Sequence, residues 1–127
     1  MHWACKYIGK PWKSGGFGPD AYNCYGLVHD IYQKRFGIVL PKLLISESDT
    51  KTIGVMMKNH PARKGFIEIQ EPKEGDIVIM NDYHCGLVIA PDQKGIIHAY
   101  KAYGGVVFQK LAIASLQWQL CFIRKAE

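Results

Sequence analysis

Cys24 follows a glycine-rich stretch, Ser14-Gly15-Gly16-Phe17-Gly18-Pro19-Asp20, and opens a segment whose apolar residues at 24, 27, 28, 31 and 32 repeat with the spacing of one helical face. A thiol at a helix start meets unpaired N–H groups and the positive end of the helix dipole, and both favour the thiolate. That is where a nucleophilic cysteine belongs, although a cysteine on the inner face of a helix more commonly serves as small apolar filling. Nucleophilic catalysis also needs a base within hydrogen-bond reach and a group that orients the base. His29 lies five positions along the same segment, about 140° around the helix from Cys24, and is expected to face solvent. His2 stands at a terminus and His60 precedes Pro61 between Lys58 and Arg63, so both read as surface residues. His84 and His98 remain as partners for the thiol.

These two histidines sit in successive strand-like runs separated by Pro91-Asp92-Gln93-Lys94-Gly95. A turn centred on Pro91 sets them directly opposite, with Cβ atoms ~5 Å apart on one face. A turn centred on Gln93 keeps them on one face but slips them by four residues, roughly 13 Å. The sequence leaves both registers open.

Elements able to position these residues follow from local signals. Residues 2–8 suit a short helix that ends before Gly9 and Pro11. Residues 24–36 form the strongest helix, with Asn23 or Asp20 as cap and Gly37 as stop. A second helix is expected over 46–59, with Ile53, Met56 and Met57 on one side and Gly54 weakening it. After Pro72 the runs 76–80, 84–90, 96–100, 106–109 and 118–124 are short, β-rich and separated by turn residues. Helices first and strands afterwards predict an α+β domain, with N-terminal helices packed on a five- to six-stranded antiparallel sheet and no second domain within 1–127.

Composition agrees with this. The 127 residues are 48% hydrophobic and 21% charged, enough to bury one core without disulfides or a structural metal. Lys and Arg number 16 against 11 Asp and Glu, yet no basic run exceeds two residues, and no basic-aromatic cluster marks a nucleic-acid surface. The start Met1-His2-Trp3-Ala4-Cys5-Lys6 lacks a secretory signal pattern, so synthesis in the cytoplasm is expected. No apolar run approaches the ~20 residues of a membrane span. Cysteines at 5, 24, 85 and 121 form no CxxC pair and are expected to be free thiols. A zinc site built from His84, Cys85, His98 and another cysteine lacks spaced ligand pairs, so neither metal nor cofactor is expected.

The blocks Tyr7-Ile8-Gly9-Lys10-Pro11-Trp12-Lys13-Ser14-Gly15-Gly16, Asn23-Cys24-Tyr25-Gly26-Leu27-Val28, His84-Cys85-Gly86-Leu87-Val88-Ile89 and Ile97-His98-Ala99 resemble, in order and spacing, the NlpC-type family of papain-like cysteine peptidases. The resemblance runs from about Trp3 to Arg124. It implies Cys24 as nucleophile, His84 as base and His98 as the orienting third residue, on a small α+β fold. It implies a hydrolase that cuts an amide bond of the peptidoglycan stem peptide through a thioester, with Trp12, Asn23, Tyr25 and Tyr83 around the oxyanion site and substrate groove. Cell-wall members usually carry Asp-Cys-Ser where this chain has Asn23-Cys24-Tyr25, and Tyr where it has Trp12. The aromatic after the cysteine, the loop from Gly16 to Ala21 and the run Phe36-Gly37-Ile38-Val39-Leu40-Pro41 are similar to the branch found in bacteriophage tail assembly proteins. That similarity implies incorporation in a phage tail with other tail proteins as partners, and it raises the alternative of a weakly active or inactive tail-tip assembly module with the same fold.

Overall fold

Asn23 starts the helix that matters most. Its side-chain carbonyl accepts the Gly26 N–H at 2.6 Å, satisfying one of the free donors of the first turn. The helix, α1, runs Cys24–Phe36 and stops at Gly37, which takes φ 69°, a left-handed conformation that glycine adopts without a Cβ penalty. A 3-10 turn over Trp3–Lys6 replaces the short helix expected at 2–8. The computed structural model describes residues 3–40, 65–81, 84–89 and 95–125; the helix expected over 46–59 lies outside them.

Among the described residues the strands are β1 (Phe66–Ile69), β2 (Ile77–Met80), β3 (His84–Ile89), β4 (Gly95–Tyr100), β5 (Gly105–Lys110) and β6 (Leu120–Lys125), with a short helix α2 (Leu111–Gln117) between the last two. They form one six-stranded sheet in the order β1-β6-β2-β3-β4-β5, with every neighbouring pair antiparallel. The α+β architecture therefore agrees with the expectation. Two elements do not follow from the sequence signals. β1 precedes Pro72, is only four residues long and is held as an edge by its pairing with β6. α2 has seven residues and no side-chain cap at Lys110, so neither its start nor its length announces a helix.

Alternation along the strands divides the interior in two. Cys85, Leu87, Ile89, Ile97, Ala99 and Val106 face α1, where they pack with Leu27, Val28 and Ile31. Val78, Met80, Val88 and Ile96 face the other way, under Ala114 of α2 and Trp118. α1 is enclosed on more than one side: all eight residues Tyr25–Tyr32 are buried. His29 is among them, packed on the Phe17 ring at 5.1 Å between centroids and on Tyr25 at 6.3 Å, so the expected solvent-facing histidine is corrected. His29 lies about 140° around α1 from Cys24, but the glycine-rich loop, through Phe17, covers that side of the helix as well. The loop lies this close because Gly26 has no side chain; a Cβ there would collide with the Gly16 carbonyl, the same carbonyl that accepts the Asn23 N–H at 2.9 Å.

Candidate active site

β3 and β4 pair Leu87 with Ile97, Val88 with Ile96 and Ile89 with Gly95, a register symmetric about position 92 and midway between the two open alternatives. Continued by one residue, it sets Gly86 opposite His98, so His84 and His98 are diagonal neighbours on one face. A Cβ on Gly86 would approach the His98 Cβ to 2.8 Å; the glycine leaves the space in which the histidine rings meet. Nε2 of His84 and Nδ1 of His98 are 2.7 Å apart. The same diagonal step recurs on the next strand: His98 pairs with Val107, and its Nε2 lies 2.9 Å from Oε1 of Gln109.

An aromatic wall surrounds the pair. Tyr100 lies 5.0 Å from His84, and Trp118 lies 5.4 Å from His98, centroid to centroid. His98 is fully buried, and burial, followed by the neighbouring His84, lowers its pKa to about 4, so the ring stays neutral at physiological pH.

Cys24 reaches this group from the opposite side of the sheet. His84 is the first residue of β3 and hydrogen-bonds the Cys24 thiol, while Cys85, one residue on, faces α1 and bonds the same sulfur. Hydrogen bonding by Cys85 is the largest influence and holds Cys24 well below the ordinary thiol range; burial opposes it, and the bond and charge of His84 add to it. The helix N-terminus acts in the same direction. Cys85 moves the opposite way, well above the usual range, because Cys24 bonds it and because it is buried. Two adjacent thiols thus shift in opposite directions, the partly exposed Cys24 toward easier loss of its proton and the buried Cys85 toward keeping its own.

Cys24, His84 and His98 are therefore brought together. Asn23 serves as the helix cap. Tyr25 is buried on Phe17 at 6.4 Å between centroids, and its hydroxyl pKa is raised by that burial. Trp12 bridges Tyr22 on the segment leading into Cys24, donates its backbone N–H to the Gly104 carbonyl at 3.0 Å, and carries Lys101 Nζ over its ring at 5.3 Å. Tyr83 lies outside the described residues. The sequence signals do not reveal Cys85 as a partner of Cys24, or Gln109, Tyr100 and Trp118 as neighbours of the histidines. Cys85 was signalled only by standing next to His84, and Gln109 only by the glycine turn Gly104-Gly105 that folds β5 back along β4. Among the described residues no group of three or more His, Cys, Asp or Glu side chains could hold a metal ion, and no helix is long and apolar enough to cross a membrane.

The fold has close counterparts. Structures of NlpC2 and NlpC1 from Trichomonas vaginalis each superpose with a TM-score of 0.69 at 20% identity over 96% of this chain, which spans 44% and 41% of their respective lengths. The NlpC/p60 domain of the peptidoglycan hydrolase SagA superposes with a TM-score of 0.62 at 20% identity, covering 94% of this chain and 91% of that one. No curated protein sequence matches the chain. The model of the NlpC/P60 family matches residues 9–125, from the segment before Trp12 through both histidine strands to β6. The chain belongs to the NlpC/P60 family, a family of cysteine peptidases and amidases.

Proposed function

We propose that the protein is a cysteine hydrolase that cleaves an amide bond in the stem peptide of bacterial cell wall, with Cys24 as nucleophile, His84 as base and His98 as orienting residue. The observation that carries this reading is the contact of a thiol at a helix N-terminus with a histidine whose far ring nitrogen lies 2.7 Å from a second, neutral histidine.

The chemistry follows from that contact. The Cys24 sulfur attacks the substrate carbonyl carbon while His84 holds the thiol proton. The carbonyl oxygen becomes an oxyanion at the N-terminus of α1, where first-turn N–H groups have no helical partner. The C–N bond then breaks, the proton on His84 passes to the leaving amine, and a thioester remains on Cys24. Water, deprotonated by His84, attacks the thioester, breaks the C–S bond and releases the acid. A cell-wall substrate is supported by family membership and by the naming of the SagA counterpart as a peptidoglycan hydrolase. A net charge of +5 suits an anionic wall.

The protein acts in association with a phage tail in this reading. Phe17 and Tyr25, two of the residues that resemble the tail assembly branch, pack on one another beside the nucleophile, so those features form one local unit. Incubation of the purified protein with peptidoglycan fragments is expected to release new amine ends in the parent and none in Cys24→Ala. Release by both proteins, or by neither, overturns the hydrolase assignment. Mass spectrometry of purified phage tail particles is expected to find the chain, and its absence from them removes the tail association.

A further inference from the structure

The histidine pair does not end at His98. Its hydrogen bonds continue through Gln109 to Gln117 at the end of α2: Gln109 Nε2 donates to Gln117 Oε1 at 2.5 Å, and Gln109 Oε1 lies 2.9 Å from His98 Nε2. Gln117 is exposed, whereas His98 at the other end is completely buried.

An amide is a directional element, with a donor on one side and an acceptor on the other. Because the Gln109 amide nitrogen is committed to Gln117, its oxygen faces His98. A neutral His98 that meets an acceptor at Nε2 must carry its proton there, which leaves Nδ1 bare. Bare Nδ1 accepts the N–H from Nε2 of His84, which in turn leaves Nδ1 of His84 for the Cys24 thiol. When the thiol proton moves to His84, both ring nitrogens of the imidazolium are donors and both have acceptors. A reversed Gln109 amide would give the opposite outcome: Nε2–H of the amide would donate to His98, His98 would carry its proton on Nδ1, and that proton would point at His84.

We propose that Gln109, held in direction by Gln117, is a positioning residue that sets the tautomer of both histidines and so makes His84 able to accept the thiol proton. The proposal rests on the assignment of Cys24, His84 and His98 as the catalytic group. Neither glutamine touches the reacting atoms; both act through His98.

Three readouts test it, two of which need no substrate. Nitrogen-15 NMR of the parent at pH 7 is expected to show His98 neutral with its proton on Nε2; a proton on Nδ1 overturns the proposal whatever the enzyme's activity. Alkylation of Cys24 by iodoacetamide at pH 7 is expected to slow about tenfold in Gln109→Met, which keeps the shape and loses the acceptor, and to stay within about twofold of the parent in Gln109→Glu, which keeps the acceptor. Gln117→Lys, at an exposed position where folding is not in question, replaces the acceptor by a donor and is expected to turn the Gln109 amide, move the His98 proton to Nδ1 and slow alkylation; Gln117→Glu is expected to do neither. With a cell-wall peptide as substrate, the loss in Gln109→Met falls on kcat with KM unchanged. Parental alkylation rates in both Gln109→Met and Gln117→Lys overturn the proposal. Failure of the parent to hydrolyse the peptide, with the Nε2–H tautomer present, counts against the proposed function alone.

Discussion

The two faces of the sheet position the two halves of the site by different physics. On the α1 face, Leu27, Val28 and Ile31 pack against Leu87, Ile97 and Ala99, and Cys24 is placed because a whole helix is placed. On the α2 face, His84, His98 and Gln109 step diagonally across three strands, and each ring is held by hydrogen bonds of 2.7 and 2.9 Å with a direction. Apolar packing is nondirectional and strong in sum, so it fixes where Cys24 lies and tolerates small shape changes. A polar chain buried beside aromatic rings adds little net stability but leaves the His84 ring with one favoured orientation. Substitutions on the first face should therefore reduce stability before activity, and those on the second should do the reverse.

The largest effect is expected at the point where the two faces meet. On the proposed function, Cys24→Ala should lower turnover of a cell-wall peptide by about 10⁴-fold or more, because the proposed covalent path is removed. Its melting temperature should stay near the parent's, since a small side chain at a helix start adds little to the core. Turnover within tenfold of the parent would break the comparison at its centre.

Next come the histidines. His84→Ala, which removes the proposed base, is expected to lose more than His98→Ala, which should cost about 100-fold; His98→Asn and His98→Gln keep a hydrogen-bond acceptor and should recover part of that loss. Steady-state rates of the four variants decide the order, and a His98→Ala enzyme equal to the parent would leave the polar face with no task. Leu27→Ala is the counterpart on the apolar face. This fully buried residue is expected to cost about 2–5 kcal/mol in urea unfolding with kcat within twofold of the parent. A kcat loss without a stability loss would invert the two faces.

The smallest effect sharpens the comparison through pH. Burial, then the nearby His84, depresses His98 to a pKa of about 4, whereas the unfolded chain titrates near 6.5. Between these values the unfolded state binds a proton that the folded state refuses, so the stability is present above about 6.5 and is lost as pH falls toward 4. Unfolding measured at pH 7 and pH 4.5 should show a loss on the order of 2 kcal/mol from this group. His98→Gln has nothing to titrate there and should lose correspondingly less.

The difference between the faces also decides what the sequence made legible. α1, its Asn23 cap and its Gly37 stop follow from neighbours in the chain, and each is found where the residues indicate. The strand runs are likewise local, and five of the six strands lie within two residues of their expected limits. β1 and α2 were not legible, because one is a short edge that exists through its pairing with β6 and the other starts without a capping side chain. Within the site, Cys24, His84 and His98 were legible as residue types at a spacing. Their register was not, since Pro91 and Gln93 offered equally plausible turns and the pairing that formed is set by Leu87, Val88 and Ile89 against Ile97, Ile96 and Gly95. Cys85 and Gln109 become visible only after that register is known. Their contribution comes from pairs that are distant in sequence or from a neighbour on the opposite face.

The central claim is that position at the helix start and contact with His84 and Cys85, rather than exposure, make Cys24 the reactive thiol. Cys5 supplies the control, because it is exposed while Cys24 is only partly so and Cys85 is buried. Brief treatment with substoichiometric iodoacetamide at pH 7, followed by peptide mapping, measures the four thiols in one sample. The expected result is that Cys24 is alkylated first and ahead of Cys5, and that this lead disappears in His84→Ala. Labelling of Cys5 ahead of Cys24 in the parent, or a Cys24 rate indifferent to His84→Ala, would contradict it.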